Sequence, residues 1–378
     1  MGCDFKNSKY SLVYVLSEFR NDAFWFNQII EMLDRLNMRV MVIVLASEYP
    51  IFYQTHIAKL NCVDLVFLDL RNRRSRASLA VSVFRILREG IPHTVHAHGY
   101  LASIITIPIA KFLRINNRII TRHHGLLHRI EHNAKAMLAD RLVGKLASRI
   151  IVHSKFLECE LTERERWPYE KVVHIPLGIS VEDFLEVSDA RINNLRAEIG
   201  IPKSKTIVGL NARPVNYKGI TYFIESARHL AKKDSSLHFL LINMQDSELK
   251  RNLCNLVAGY PITFIETVSD LPAFYKLIQV FCHVPTSREA EPAGFVYLEA
   301  IAAGVPSVFT ISGLLPEIDL HEMPISIIDY RSSEQLSQAI LVRLKENWVL
   351  QDSERRVRLT NFTLLKFLEA HKILYSDL

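Results

Sequence analysis

The sequence predicts an α/β protein with two domains, each built on a doubly wound parallel sheet. Short apolar runs alternate along the chain with segments of helical periodicity, which is the pattern of repeated strand–helix–strand units. The chain has 378 residues and 49% of them are hydrophobic, so it is long enough to form two large cores. Several runs are apolar without a break, as expected for strands that are buried on both faces.

The first half of the chain predicts one complete domain. Residues 11–16 and 40–45 are strand-like apolar runs, and residues 23–36 between them place apolar side chains near helical spacing. Further strands are predicted at 63–68, 94–98, 118–121 and 149–152, and further helices at 78–89 and 105–113. We therefore predict a Rossmann-like domain over residues 1–180.

The second half repeats the pattern after a charged segment at 182–198. Strands are predicted at 206–210, 237–242, 262–265 and 280–284, with helices at 221–232 and from residue 334 onward. We predict a second Rossmann-like domain over residues 181–352, followed by a C-terminal segment at 353–378.

The cysteine pattern and the hydropathy predict a cytoplasmic protein, and they allow it to be peripheral on the inner face of the membrane. The five cysteines are scattered and form no C-x-x-C pair, which argues against a disulfide framework or a structural zinc site. No apolar run approaches the roughly 20 residues of a membrane span. The N-terminal residues lack the apolar core of a signal peptide.

Positive charge is concentrated in residues 71–149, which contain 15 Lys and Arg against 3 Asp and Glu. A basic surface attracts nucleic acid, anionic lipid headgroups or phosphorylated substrates, and it can also be no more than a biased soluble surface. We find no RNA- or DNA-binding motif and no basic run interleaved with aromatic residues. We therefore expect no nucleic-acid partner and favour an anionic membrane or a lipid-phosphate acceptor.

Residues 280–310 carry the strongest functional signal. A strand at 280–284 is followed by a polar loop and a helix that opens at Gly294 and Phe295. Loops at the carboxyl ends of parallel strands bind ligands, and a helix start offers free backbone N–H groups to an anion. Glu291 and Glu299 bracket that start, and carboxylates bind hydroxyls rather than phosphates. A ligand with central phosphates and hydroxyls at both ends, such as a nucleotide-sugar, fits this pattern; an ordinary strand–helix unit with two solvated glutamates is the alternative.

The surrounding residues resemble the donor signature of family 4 glycosyltransferases. In that family a Pro-Ser and a short loop precede Glu-Gly-Phe-Gly, followed after four residues by Glu-Ala and a small-residue run that ends in Gly-x-Pro. The corresponding positions here read Pro285, Glu291, Pro292, Ala293, Gly294, Phe295, Glu299, Ala300, Gly304 and Pro306, and Ala293 is smaller than the usual residue there. The resemblance implies the GT-B fold, in which two Rossmann-like domains face each other across a cleft and the last helix crosses back to the first domain.

The resemblance extends to the loop after the first strand of the second domain. The family has Gly-Arg, four residues and Lys-Gly there, and Arg213, Lys218 and Gly219 match the last three fixed positions. Two fixed cations at a strand end suit a diphosphate, although either alone is more often a solvated loop charge. By resemblance, the N–H groups from Gly294 to Val296 join these cations at the diphosphate.

Histidines at predicted strand ends supply the remaining site candidates. The family has a Thr-x-His beside the donor sugar, and the triplet that starts at Thr121 makes His123 the first choice, with His124 and His98 behind it. A hydrogen-bonded core or cleft histidine is the alternative for each. The resemblance further implies that Glu291 binds sugar hydroxyls and Glu299 binds ribose hydroxyls.

A second motif, at residues 128–132, would indicate a different activity. His128, Glu131 and His132 match H-x-x-E-H, the pattern of inverted zinc peptidases, in which two histidines on one helix face bind the metal. Nothing else in the chain resembles a peptidase, and a polar, partly exposed helix is the simpler interpretation.

Absent motifs narrow the chemistry. The chain has no G-x-G-x-x-G dinucleotide fingerprint, no P-loop and no Asp-x-Asp metal clamp. The absent metal clamp and the resemblance together predict a metal-independent, hexosyltransferase-type glycosyltransferase without a cofactor, and the resemblance implies that it is retaining. It would move a sugar from a nucleotide-sugar to a hydroxyl of a glycan or lipid-linked acceptor, in cell-surface glycan or glycolipid synthesis. The alternatives are an epimerase or phosphorylase of the same fold, and a non-catalytic basic protein that binds membranes or nucleic acid.

Overall fold

The computed structural model describes residues 10–17, 24–47, 57–71, 76–122, 128, 131–346, 348 and 350–376. The chain divides into two compact units. The N-terminal unit comprises Met1–Gly178 and Leu364–Leu378, and the C-terminal unit comprises Ile179–Thr363. Each unit contains a parallel sheet with helices on its faces, so the α/β prediction with two Rossmann-like units is confirmed.

The strands of the N-terminal unit are β1 (Leu12–Ser17), β2 (Val40–Ala46), β3 (Val63–Asp69), β4 (Thr94–His98), β5 (Asn117–Thr121), β6 (Arg149–Val152) and β7 (Val172–His174). They form one parallel sheet in the order β3-β2-β1-β4-β5-β6-β7. Leu12 of β1 lies opposite Val40 of β2 and Thr94 of β4.

The helices of this unit are α1 (Phe24–Arg35), α2 (Arg76–Glu89), α3 (Tyr100–Phe112), α4 (Ala134–Leu146), α5 (Lys155–Cys159) and, from the end of the chain, Leu364–Ser376. Successive strand residues point to opposite faces of a sheet. Val13 and Val15 of β1 accordingly pack with α2, α3 and α4, whereas Leu12 and Tyr14 pack with α1 and the C-terminal helix.

The strands of the C-terminal unit are β8 (Thr206–Asn211), β9 (Leu237–Ile242), β10 (Ile262–Phe264), β11 (Val280–His283), β12 (Ser307–Phe309) and β13 (Ile325–Ile327). Their order is β10-β9-β8-β11-β12-β13, and the pairings are parallel. In both sheets the first strand lies between the second and the fourth, which is the Rossmann arrangement.

The helices of the C-terminal unit are α6 (Glu182–Leu185), α7 (Asp189–Ile199), α8 (Ile220–Ala231), α9 (Glu248–Val257), α10 (Leu271–Leu277), α11 (Phe295–Ala303), α12 (Ser333–Lys345) and α13 (Asp352–Arg358), so that the helix Leu364–Ser376 is α14. Helices α8, α9 and α12 share one core with β8, β9 and β11. Helix α10 packs against α7 and α11.

Short polar side chains define several helix starts. In each case the side-chain oxygen accepts a hydrogen bond from the backbone N–H three residues later, which satisfies a donor that the helix itself leaves open. The residues that do this are Asn133, Ser154, Ser188, Ser247, Asp270 and Ser332. Across the part of the chain that the structure describes, no helix has the length and apolar character needed to cross a bilayer.

Candidate functional site

The candidate site lies at the switch point of the C-terminal sheet. Strand β8 continues into α8 and strand β11 into α11, and the two strands are neighbours in the sheet. The sequence order of the strands reverses here, so the loops that follow β8 and β11 diverge and leave a crevice at the carboxyl edge. Arg213 and Lys218 come from the first loop, and Glu291 from the second.

The backbone fixes these two loops against each other. Residues Asn216–Lys218 form one turn of 3-10 helix that ends at Gly219, whose φ is 73°. A Cβ atom on Gly219 would overlap the carbonyl oxygen of Val284, so the close approach excludes any side chain. The N–H of Thr286 donates to the carbonyl of Tyr217 at 3.0 Å. The Lys-Gly pair therefore sets the position of Lys218 beside the β11 loop.

Lys218 and Glu291 form a nearly buried ion pair. The Nζ atom of Lys218 lies 2.5 Å from Oε2 of Glu291, and each side chain is only 12% exposed. The Nε2 atom of His283, the last residue of β11, lies 3.1 Å from the same oxygen. One carboxylate oxygen thus accepts two hydrogen bonds, one from the loop that follows β8 and one from the last residue of β11.

The ion pair keeps Glu291 charged. Burial alone would raise the pKa of Glu291, but the Lys218 ammonium and the hydrogen bond from His283 outweigh burial and hold that pKa well below its ordinary value. Burial lowers the pKa of His283, against the opposing effect of the carboxylate. The cluster therefore consists of an ammonium, a carboxylate and a neutral imidazole.

The start of α11 forms the next part of the site. Gly294 has φ 93° and precedes the first helical residue, and no described side chain caps the backbone N–H groups there. A Cβ on Gly294 would overlap the ring of Tyr297, so this turn also requires glycine. The backbone N–H groups of Phe295 and Val296 open α11, and anion binding by the N–H groups from Gly294 to Val296 stays a prediction.

Glu299 is anchored one turn into α11. The hydroxyl of Tyr275 donates to Oε2 of Glu299 at 2.6 Å, and the side-chain amide of Asn211 donates to the same hydroxyl at 3.4 Å. Tyr275 is fully buried, and burial together with the nearby carboxylate raises its pKa far above the ordinary value. Tyr275 is therefore a permanent donor, and it orients a carboxylate that remains half-buried.

Arg213 differs from Lys218 in its surroundings. It is exposed, and its guanidinium forms no hydrogen bond or ion pair with the residues that the structure describes. Since Arg213 follows β8 and Lys218 ends the same loop, both cations predicted to contact a diphosphate lie on one side of the crevice. Of the two, Arg213 is the cation that is not already paired.

The N-terminal sheet has its own switch point, between β1 and β4. His98 ends β4, is 4% exposed and stacks on Tyr14 with ring centroids 5.2 Å apart. The hydroxyl of Ser17 donates to the carbonyl of His98 at 3.1 Å. His123 and His124 lie outside the described residues, so their proximity to a donor sugar stays a prediction.

Arg122, which precedes His123, is fixed inside the N-terminal unit. Its guanidinium lies 3.3 Å from Asp140 and 4.0 Å from Glu165, and it stacks over the ring of Trp167 at 5.1 Å. The side chain is only 5% exposed. These contacts fix the position of the residue that directly follows β5.

The zinc-peptidase motif does not form the geometry that it would need. His132 has φ 52°, a left-handed conformation that is incompatible with a continuous helix through the motif. His128 instead points its Nε2 atom toward Asp140 at 3.8 Å. Among the described residues no cluster of three metal-ligating side chains is present.

Sequence reasoning missed three residues that build the site, namely His283, Tyr275 and Tyr297. We interpreted 280–284 only as an apolar strand, although a histidine at the last position of a buried strand is unusual and faces the crevice loop. The two tyrosines are ordinary helix residues in the sequence, and only the fold brings their hydroxyls to polar partners.

The fold and the site define the class of protein: two Rossmann-like units, with a charged cluster at the switch point of the second. The family model described as glycosyltransferase family 4 matches residues 26–183, and that described as glycosyl transferases group 1 matches residues 191–363. Together the two models cover most of the chain. The chain belongs to family 4 of the glycosyltransferases, as the sequence motifs predicted.

Two curated relatives are similar over part of their length. One is an uncharacterized glycosyltransferase of Methanocaldococcus jannaschii, 26% identical over 240 residues, or 61% of this chain. The other is a GDP-mannose-dependent alpha-(1-6)-phosphatidylinositol monomannoside mannosyltransferase of Mycolicibacterium smegmatis, 28% identical over 233 residues, or 59% of this chain. The chain spans about 60% of the length of each relative.

Solved structures share the fold along nearly the whole chain. HepE of Anabaena, in complex with UDP and glucose, has a TM-score of 0.79 at 17% identity and covers 98% of this chain and 100% of its own. Sucrose-phosphate synthase of Thermosynechococcus elongatus has a TM-score of 0.74 at 17% identity, over 97% of this chain and 98% of its own. At 17% identity, these similarities show that the fold is shared and nothing more.

Proposed function

We propose that this protein is a retaining glycosyltransferase that moves a sugar from a nucleotide-sugar to a hydroxyl acceptor without a metal ion. The observation that carries the proposal is the cluster of Lys218, Glu291 and His283 beside the open start of α11. It combines cations and N–H groups for a diphosphate with a charged carboxylate for hydroxyls, all at one switch point.

The chemistry follows from where charge develops. As the bond between the sugar and the diphosphate breaks, negative charge grows on the leaving phosphate and positive charge grows on the sugar. Arg213, Lys218 and the first N–H groups of α11 stabilise the leaving phosphate because they bring positive charge and N–H dipoles to the side of the crevice where its negative charge develops. The Glu291 carboxylate accepts hydrogen bonds from sugar hydroxyls, and Glu299 accepts them from the ribose.

The relatives support a donor and an acceptor class. The mycobacterial relative is named for GDP-mannose and a phosphatidylinositol mannoside, and HepE was solved with UDP and glucose. We therefore propose a nucleotide-hexose donor and a glycan or lipid-linked acceptor, in glycan or glycolipid synthesis at the cell surface.

The test is donor turnover by the full chain. Release of nucleoside diphosphate from UDP-glucose and GDP-mannose is measured with EDTA present, and NMR of the product reports whether the anomeric configuration is retained. We expect Arg213→Ala and Glu291→Ala each to lower kcat/KM about 100-fold or more. Lys345→Ala and Glu334→Ala, which change exposed charges on α12, are the matched controls.

Three outcomes would contradict the proposal. These are turnover within twofold of wild type in both site variants, complete inhibition by EDTA, and a free epimer or sugar phosphate as the product instead of a glycoside. The last outcome would favour an epimerase or a phosphorylase.

We further propose that the basic N-terminal unit binds an anionic membrane on the cytoplasmic side. Helix α4 buries Val143 and Gly144 but exposes Leu138 by 60% and Leu142 by 53%. Lysine and arginine side chains are exposed on the same helix, at 135, 141 and 145. Exposed leucines flanked by cations suit the headgroup region of an anionic bilayer.

Vesicle sedimentation tests the membrane proposal. We expect binding to vesicles that contain phosphatidylglycerol and not to pure phosphatidylcholine, and a loss of about 10-fold in binding for Leu138→Ser with Leu142→Ser. Val342→Ser, which changes a similarly exposed residue of α12, is the control. Equal binding to both vesicle types, or binding to RNA instead of vesicles, would contradict the proposal.

A further inference from the structure

His283 is a fully enclosed histidine that the proposed reaction does not use. It ends β11 and is 1% exposed. The ring of Tyr297 meets the imidazole edge to face, with centroids 5.0 Å apart and an interplanar angle of 82°. Tyr297 is itself held by a hydrogen bond from its hydroxyl to the carbonyl of Thr310 at 3.2 Å. The imidazole therefore has one fixed orientation.

The hydrogen bonds of His283 define its tautomer. Nε2 lies 3.1 Å from Oε2 of Glu291. Nδ1 is buried and has no hydrogen-bond partner in the described part of the chain. A proton on Nδ1 would be a buried donor without an acceptor, which costs more than a bare lone pair. A neutral ring with its proton on Nε2 satisfies both observations and donates to Glu291.

The two donors to Glu291 differ in what else they can do. Lys218 has a flexible side chain at the end of the β8 loop, and a diphosphate in the crevice would compete with Glu291 for its ammonium. His283 is enclosed and has no second acceptor among the described residues. When the Lys218 ammonium turns toward a diphosphate, the His283 hydrogen bond is the contact that still orients the carboxylate.

We propose that His283 is a positioning residue that holds Glu291 in place for the donor sugar while Lys218 is engaged with the diphosphate. The inference rests on the proposed function, because it assigns Glu291 to sugar hydroxyls. With Oε2 held by His283, Oε1 of Glu291 is the oxygen left to accept from the sugar, since it has no partner within the described residues.

The kinetic test separates positioning from folding. In His283→Leu we expect kcat for UDP-glucose or GDP-mannose, whichever the wild type turns over, to fall about 10- to 100-fold. The affinity for the nucleoside diphosphate alone should stay within about twofold, because that ligand lacks the sugar whose hydroxyls are assigned to Glu291. His283→Gln keeps an N–H donor at this position and should recover most of kcat.

His238→Leu is the matched control. His238 lies on β9 of the same sheet, is half-buried, and its Nε2 atom makes a comparable 2.9 Å contact with Thr263. If His238→Leu lowers kcat as much as His283→Leu does, or if the glutamine variant recovers nothing, the effect is structural and the positioning role is wrong.

Nitrogen-15 NMR of the wild-type imidazole supplies a readout that does not depend on activity. We expect His283 to be neutral, with its proton on Nε2, before and after the nucleoside diphosphate is added. A charged ring or a proton on Nδ1 would overturn the inference even if turnover is found. Absence of turnover with every donor would instead overturn the proposed function, and the tautomer would still show whether His283 donates to Glu291.

Discussion

The two units have the same strand order around β1 and β8, but their clusters of polar side chains differ in charge and in burial. In the C-terminal unit the cluster around Glu291 is charged, opens on a crevice, and depends on an ion pair with Lys218. In the N-terminal unit the hydroxyls of Tyr14 and Tyr375 contact each other, and Nδ1 of His96 lies 2.8 Å from the Tyr375 hydroxyl. That second network is buried, and its two tyrosine hydroxyls are uncharged.

The two units differ in whether their buried polar groups carry a charge. Burial raises the pKa of Tyr14 and Tyr375 and lowers the pKa of His153 to about 4 and of His371 to about 3, so these groups stay uncharged and serve packing. Glu291 instead stays charged despite burial. The Lys218 ammonium and the His283 hydrogen bond maintain this charge, which the role proposed for Glu291 requires.

The largest expected effect is a loss of stability of the N-terminal unit in acid. His153 and His371 are fully buried, and the unfolded chain takes up protons at both positions below about pH 6.5, whereas the folded unit does so only near pH 4 and 3. The unfolded state therefore binds more protons in this window, and stability is lost as pH falls from about 6.5 to 4, by about 3 kcal/mol for each histidine.

Hydrogen exchange measured by peptide at several pH values checks this loss. Peptides from β6 and α14 should lose protection as pH falls through that window, and His371→Leu, which cannot titrate, should flatten the dependence. Identical pH profiles in wild type and His371→Leu would contradict the assignment. His321→Leu, at an exposed position, is the control.

The ion pair should show the next largest effect. In Lys218→Met the carboxylate of Glu291 remains nearly buried without its cation, which should destabilise the C-terminal unit by about 3 kcal/mol. The double variant with Glu291→Gln should recover most of that loss, because no unpaired charge remains. Calorimetric midpoints measure both effects, and an additive double variant would show that the two side chains do not interact.

Much of this fold could be predicted from the sequence, because continuous apolar runs identify buried parallel strands. The strand predicted at 94–98 is β4 to the residue, and the strand predicted at 206–210 is β8 without its last residue. Strand β13 was not predicted, because Ile325–Ile327 is only three residues long and not fully buried. Short strands of this kind depend on their neighbours rather than on their own pattern.

The sequence motifs predicted the charged members of the candidate site but not their pairings or the buried residues that hold them. The motifs identified Arg213, Lys218, Glu291 and Glu299 as site candidates. The contact between Lys218 and Glu291 joins residues 73 positions apart, and it exists because β8 and β11 are neighbours in the sheet. Nothing local in the sequence specifies that neighbourhood, so His283 was also missed.

A buried tyrosine in each unit extends the comparison to smaller effects. Tyr375→Phe removes the hydroxyl that contacts Tyr14 and His96, and should cost about 2 kcal/mol because two buried polar groups lose a partner. Donor turnover should stay within about twofold, since this network lies inside the N-terminal core. Loss of turnover without loss of stability would contradict the assignment of the network to packing.

Tyr275→Phe is the counterpart in the C-terminal unit and the smallest expected change in stability, about 1 kcal/mol. It removes the 2.6 Å hydrogen bond that orients Glu299, while the carboxylate remains half-buried and able to meet water. Because Glu299 is assigned to the ribose, the affinity for a nucleoside diphosphate should fall about 5-fold by calorimetric titration. The two variants should therefore differ in what they lose. Tyr375→Phe should lose stability and keep turnover, whereas Tyr275→Phe should keep most of its stability and lose nucleotide affinity. If Tyr275→Phe bound the nucleoside diphosphate as wild type does, Glu299 would need no orientation by Tyr275, and the predicted contrast between the two tyrosines would be wrong.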